Sequence, residues 1–172
     1  MNAIRTKANK ITSLINRLLE LMETKIYWDE LLTNELFTRY ILIDPLLRAL
    51  GWNTSDPDQV WPEYKVNHSE RKRADYALCK DGKIVALIEA KRVGTTSQPS
   101  KLARAKNQVT RYSRHLKIPL LIVTDGGGWF VYNMRNGRRK ATEVLVIDFQ
   151  TGKIKALVNK FMLLAPENIG EL

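Results

Sequence analysis

Arg73-Ala74-Asp75-Tyr76-Ala77-Leu78 and, after Lys80-Asp81-Gly82-Lys83, Ile84-Val85-Ala86-Leu87-Ile88-Glu89-Ala90-Lys91 stand near the middle of this 172-residue chain. Both runs are short and apolar, and Asp-Gly between them is a strong hairpin signal, so two antiparallel strands are predicted. Each strand carries one carboxylate. A carboxylate at the end of an apolar strand is costly to bury unless it is paired or binds a cation. Glu89 and Lys91 are two residues apart and so project from one face of an extended chain. Ala90 between them is small and lets the backbone approach a ligand.

If Asp75 and Glu89 share a cation, they must lie on one face of the sheet. A regular two-residue loop, Asp81-Gly82, would place Asp75 opposite Ile88 and send Glu89 through the other face, because side chains alternate. The reading therefore requires a three-residue loop, Lys80-Asp81-Gly82, with Glu89 diagonal to Asp75, or a bulge in one strand. Gly82 is expected at positive φ.

Working outward, residues 3–25 read as a helix. Its stripe of Ile4, Ala8, Ile11, Ile15, Leu18 and Met22 would pack on the body of the domain or on a second copy. A second helix is expected from Thr33, as N-cap, to Leu50, with Leu36, Tyr40, Ile43, Leu47 and Leu50 on one face, a kink at Pro45 and a stop at Gly51. Val60–Val66, Ala74–Cys79 and Ile84–Glu89 read as strands. A helix from about Pro99 to His115 follows, opened by Ser97 or Ser100. Leu120–Val123 reads as a buried strand, then Gly126-Gly127-Gly128 turns into Trp129–Asn133. Asn136-Gly137 marks a hairpin to Val144–Phe149, and residues 154–164 form a last helix. The order α, α, β, β, β, α, β, β, β, α defines an α/β fold with a mixed sheet.

Composition narrows the function. Hydrophobic residues make up 44% of the chain, without a run long enough to span a bilayer, and the N-terminus lacks a signal-peptide pattern. The single cysteine, Cys79, excludes an intramolecular disulfide and a cysteine-rich zinc site. A reducing, cytoplasmic setting is expected. Net charge is +10, unevenly spread: residues 26–63 carry 2 basic and 7 acidic side chains, residues 64–140 carry 18 basic and 5 acidic. A basic middle with a few acids set in it suits a polyanion partner, against the simpler alternative of a lysine-rich surface. His68 and His115 show no metal-ligand spacing. Trp28, Trp52, Trp61 and Trp129 are expected in core or rim packing, and Glu63, on the first strand, is expected to face outward rather than into the site.

Phosphodiester hydrolysis uses groups of these types. Mg2+ accepts one or two carboxylates with waters and phosphate. Asp75 and Glu89 would supply the carboxylates and Ala90 a carbonyl oxygen, while Lys91 would orient the nucleophile and offset charge on phosphorus. The competing reading is an ordinary surface ion pair of Glu89 with Lys91.

Asp75 followed by Glu89-Ala90-Lys91 resembles the PD-(D/E)XK nuclease motif. Glu35 lies in Asn34-Glu35-x-x-Thr38-Arg39-Tyr40-Ile41-Leu42-Ile43-Asp44-Pro45-Leu46-Leu47-Arg48-Ala49-Leu50-Gly51-Trp52, which is similar to the first helix of the N-terminal nuclease domain of type I restriction enzyme R subunits. Gln108-x-x-x-Tyr112 resembles a motif of one branch of the superfamily that includes those subunits, and Ile122-Val123-Thr124-Asp125-Gly126 followed by Trp129-x-Val131-Tyr132 adds to the likeness. It spans roughly residues 28–150, and the proline of the motif is Ala74 here. The resemblance implies a restriction-endonuclease-like αβββαβ core over 28–172, with a helical extension over 1–27. It implies a metal-dependent DNA endonuclease using Mg2+, with Mn2+ as substitute, and Glu35 assisting Asp75, Glu89 and Ala90 at the metal. Translocation by an R-subunit motor is not expected of these 172 residues. Gln108 and Tyr112 share a helix face. Lys101, Arg104 and Arg111 on that helix, with Arg73, Arg138 and Arg139, are candidate DNA contacts, although charge runs are commonly only solvated. The alternative is a non-cleaving DNA- or partner-binding module on the same fold. Partners could include a second copy or a separate motor or specificity subunit.

Overall fold

The computed structural model describes residues 2–66, 73–134 and 141–172. Among the described residues, six strands form one mixed sheet in the order β1-β2-β3-β4-β5-β6: β1 Val60–Lys65, β2 Arg73–Lys80, β3 Lys83–Ala90, β4 Leu120–Thr124, β5 Gly128–Asn133 and β6 Thr142–Asp148. Only β3 and β4 run parallel; the other neighbours are antiparallel. A parallel pair needs a long crossover, and helix α5, Pro99–Leu116, supplies it and packs back on both strands. This is the α/β, restriction-endonuclease-like αβββαβ core, extended by β5 and β6.

The sheet separates two apolar cores. The larger holds Leu47, Trp52, Ile88, Trp129 and Phe161, together with Ile11, Ile15 and Leu18 of α1, Asn2–Glu23. The stripe of α1 thus packs on the body of its own chain, although Ile4 at its start remains exposed. The smaller core lies under α5 and includes Leu87, Leu121, Val109 and Tyr112. Helix α6 is Ile154–Met162, and a short 3-10 turn, Ile169–Glu171, follows it. No described helix is long and apolar enough to cross a membrane.

The second predicted helix is present from Glu35 to Leu50 with a π-turn inside it, and a further helix, not predicted from the sequence, precedes it. Helix α2, Lys25–Thr33, ends at Asn34, whose N–H donates to the Glu30 carbonyl at 2.8 Å. The Asn34 side chain then accepts from the Phe37 N–H at 3.0 Å and opens α3, Glu35–Thr38. Asn34 and not Thr33 is therefore the cap, because its extended backbone closes one helix and starts another. Arg39–Ile43 forms a π-turn closed by the Asp44 N–H on the Arg39 carbonyl, and α4, Asp44–Leu50, carries Pro45 in its first turn. The extra residue in that turn rotates the helix face. Leu42, Ile43, Leu46, Leu47 and Leu50 are buried, whereas Leu36 and Tyr40, expected inside, are exposed. Gly51 ends α4 as expected. Helix α5 is opened by Gln98, not by Ser97 or Ser100, and Ser97 instead donates to the Gly94 carbonyl. The Asn136-Gly137 hairpin lies outside the described residues, but β5 and β6 pair antiparallel as it requires.

The β2–β3 connection settles the parity question by a different device from the three-residue loop. Asp81 and Gly82 form a two-residue turn at φ 52° and 71°, with Lys80 opposite Lys83. Two positive φ values match the right-handed twist of a tight hairpin, and glycine tolerates its own without strain. The pairing then shifts: Cys79 faces Ile84, but Leu78 faces Ala86, leaving Val85 as a bulge. That single extra residue restores the parity. Tyr76 faces Ile88, so one step further Asp75 lies opposite Glu89 with both side chains on one side of the ladder.

Candidate active site

Glu89 stands at the end of an unbroken buried run in β3 and is 2% exposed. Lys91 Nζ meets its Oε1 at 2.5 Å, and Oε2 has no hydrogen-bond partner among the described residues. Burial, with the charge of Asp75 opposite, pushes the Glu89 carboxyl up to about 8. Burial also raises Asp75, opposed by the Ala90 N–H, which donates to Asp75 Oδ2 at 2.7 Å, and by Arg39 and Lys91. Burial works against the Lys91 charge, but Glu89, Glu35 and Asp75 together hold the ammonium above its ordinary value. Two carboxylates facing each other in low dielectric repel, and a cation between them would favour the charged form of both.

Glu35, in the first turn of α3, lies 3.7 Å from Lys91 Nζ through its Oε2. An open cleft of about 520 Å³ runs from Glu35 and Lys91 to Lys101, Arg104 and Gln108. Gln108 Nε2 donates to the Tyr112 hydroxyl at 2.9 Å. Burial raises the Tyr112 phenol, which also feels the charges of Glu89 and Lys91. The structure therefore brings together Asp75, Glu89, Ala90, Lys91, Glu35, Gln108 and Tyr112, with the exposed Lys101, Arg104 and Arg111 along α5. Arg73 is exposed at the start of β2. Arg138 and Arg139 lie outside the described residues.

Three residues at the site, Arg39, Tyr76 and Asp44, were given no role from the sequence. Arg39 reaches Glu63 Oε1, Asp75 Oδ1 at 3.4 Å, the Asp75 carbonyl at 3.3 Å and the Tyr76 hydroxyl at 3.2 Å, and it lies over the Tyr76 ring at 4.6 Å. The Tyr76 hydroxyl in turn donates to Asp44 Oδ1 at 2.6 Å. Arg39 is four residues after Glu35, the one signal that it shares the glutamate's face. Glu63 is half-exposed, near the outward orientation expected, but a positive φ of 50° accompanies its turn toward Arg39. Asp125 is structural: Thr96 N–H and Oγ1 donate to Oδ2 and Gly128 N–H to Oδ1, which ties the loop after Lys91 to the glycine turn.

The donor set fits a hard divalent cation. The orphaned Glu89 Oε2 and the facing Asp75 carboxylate are oxygen ligands of the type Mg2+ takes. Among the described residues, no group of three or more His, Cys, Asp or Glu side chains is gathered closely enough to cage an ion by itself. Waters and a substrate phosphate would have to complete any coordination, as is usual for Mg2+.

An αβββαβ sheet with a facing acid pair and an adjacent lysine defines a nuclease-type fold of the restriction-endonuclease-like class. A family model, that of the Type I restriction enzyme R protein N terminus, matches residues 34–147, and the chain belongs to that family. The matched span contains Glu35, Asp75, Glu89, Lys91, Gln108 and Tyr112. No curated protein and no solved structure gave a match.

Proposed function

We propose that this chain hydrolyses phosphodiester bonds of DNA with Mg2+, for which Mn2+ can substitute. The observation that carries the reading is a buried glutamate, Glu89, with one oxygen unpartnered, opposite Asp75 and beside Lys91. Asp75, Glu89 and the Ala90 carbonyl would hold the ion, with Glu35 assisting. When bound, the ion polarises the phosphoryl oxygen and lowers the pKa of water. The Lys91 ammonium holds the attacking water and offsets charge that develops on phosphorus. Water adds to phosphorus, one P–O ester bond breaks, and the leaving oxygen takes a proton. Gln108 and Tyr112 orient the phosphate from α5, and Lys101, Arg104 and Arg111 grip neighbouring phosphates.

The test is incubation with linear, circular and four-way-junction DNA, with and without Mg2+ or Mn2+. Cleavage should require the metal and vanish with EDTA. A non-cleaving DNA- or partner-binding module is the second reading. It is favoured by the pairing of Glu89 with Lys91 and of Asp75 with Arg39, which offsets both carboxylates without a metal. DNA binding with no cleavage on any substrate would select it.

Gln108→Ala and Tyr112→Phe should each slow cleavage about tenfold, a loss of the size that one positioned hydrogen bond supplies, while DNA affinity changes less than about twofold. Wild-type rates for both would make the pair purely structural. Binding should also weaken by about 10²-fold between 50 and 200 mM salt if about four phosphates are contacted, because condensed counterions are released. Fluorescence anisotropy with a labelled duplex measures this, and a flat response would exclude phosphate gripping.

A further inference from the structure

We infer that Arg39 is a positioning residue for the candidate metal centre, acting through Asp75, and that Tyr76 and Asp44 lock it in place. The inference rests on the nuclease reading above.

Arg39 opens the π-turn, where the widened backbone departs from the run of the helix around it. Such turns recur at functional sites because they re-aim a side chain. Here the guanidinium is largely buried, its side chain 12% exposed, and its hydrogen bonds to described residues run to β1 and β2. Nη1 meets Asp75 Oδ1 and Nη2 donates to the Asp75 carbonyl, so the arginine holds both the side chain and the main chain of that residue. The Ala90 N–H takes the other carboxylate oxygen, Oδ2. Asp75 is thereby pinned from two sides, and its rotamer opposite Glu89 is set before any ion arrives.

The arginine is itself held. Nε donates to the Tyr76 hydroxyl, which donates onward to Asp44 Oδ1 at the start of α4, and the Tyr76 ring lies under the guanidinium. Burial opposes the Arg39 charge, but Glu63, Tyr76 and Asp75 outweigh it and keep the group charged. A planar fork with several fixed donors can satisfy these partners together, whereas an ammonium on a flexible stem cannot. Outer contacts that orient a ligating carboxylate commonly carry about 10- to 100-fold of metal affinity or activity. Because Arg39 faces acids and not solvent, it is not a phosphate contact.

The experiment titrates Mn2+ into the folded protein, by electron paramagnetic resonance or calorimetry, beside cleavage and DNA-binding assays. Arg39→Lys keeps the charge and loses the fork. It should weaken Mn2+ binding about 10- to 100-fold and lower kcat similarly, with DNA affinity and its salt dependence unchanged. Tyr76→Phe keeps the ring and removes the hydroxyl link. It should weaken Mn2+ binding severalfold, and the double variant should be no worse than Arg39→Lys alone, since Tyr76 acts through Arg39. Should Arg39→Lys fail to fold, Tyr76→Phe carries the test. Mn2+ affinity at the wild-type level in both folded variants, additive losses in the double variant, or weakened DNA binding with a reduced salt slope would each overturn the role of Arg39. A wild-type chain that binds no Mn2+ would overturn the metal reading as well, which separates the two failures.

Discussion

Replacing Glu89 with Gln should abolish cleavage and, without divalent metal, stabilise the fold. The loss of activity should reach about 10³-fold or more, the scale on which removing a charged group that acts on the transition state is felt. The gain in stability has a separate cause. Burial and Asp75 push the Glu89 carboxyl up to about 8, so the native chain holds a proton there that the unfolded chain has released above its ordinary value near 4.5. A group raised in the folded state contributes stability that is complete below its unfolded pKa and is lost as pH rises through the folded one. Asp75 is also raised, and it acts in the same direction. The metal-free wild type should therefore melt about 5 °C lower at pH 9 than at pH 6, the shift that ~2 kcal/mol makes in a domain of this size. Millimolar Mg2+ should remove most of that drop by offsetting the paired charges, and Glu89→Gln should remove it without metal. Calorimetry at four pH values, with Mg2+ and with EDTA, measures all three quantities. A folded Glu89→Gln protein that cuts DNA at the wild-type rate would end the catalytic reading.

The glycine turn after β4 should be equally intolerant for steric reasons. Gly126 has φ +84°, and a Cβ there would lie 2.6 Å from Leu42 Cδ1 and 2.7 Å from Leu42 Cβ. The first of these atoms can swing, but the second can move only with the backbone of the π-turn. Gly126→Ala should cost about 3 kcal/mol, combining about 1–2 for an alanine held in the left-handed region with about 1–3 for overpacking. Because Leu42 and Arg39 share the π-turn, the variant should also lose cleavage at temperatures where it remains folded. Urea unfolding gives the first number and a low-temperature nuclease assay the second. A midpoint equal to wild type would mean that the turn yields easily and that the sheet does not register the π-turn in this way.

The amino-acid sequence by itself determined the order of the six strands and the places of α5 and α6 among them, because these follow from local periodicity, turn residues and apolar runs. It also determined which residues were chemically out of place: a carboxylate closing the apolar run Ile84–Ile88, and a second one a hairpin away. Three things depended on tertiary structure. The first was the register of the hairpin. Asp-Gly favours a two-residue turn, the acid pair needs odd parity, and the conflict is resolved by a bulge at Val85 that local patterning does not mark. The second was the separate helix Lys25–Thr33, closed at Asn34, and the π-turn at Arg39 within the 33–50 helix. Helical periodicity places Leu36 and Tyr40 with Leu47 and Leu50, but one extra residue in the turn rotates them to solvent. The third was Arg39 itself. Its partners, Asp75, Tyr76 and Glu63, come from two strands distant in the chain, and one arginine among many carries no local sign of burial until the sheet packs against the π-turn. Side-chain chemistry is legible residue by residue, but the electrostatic setting that makes Glu89 hold its proton exists only once the fold has removed water from around it.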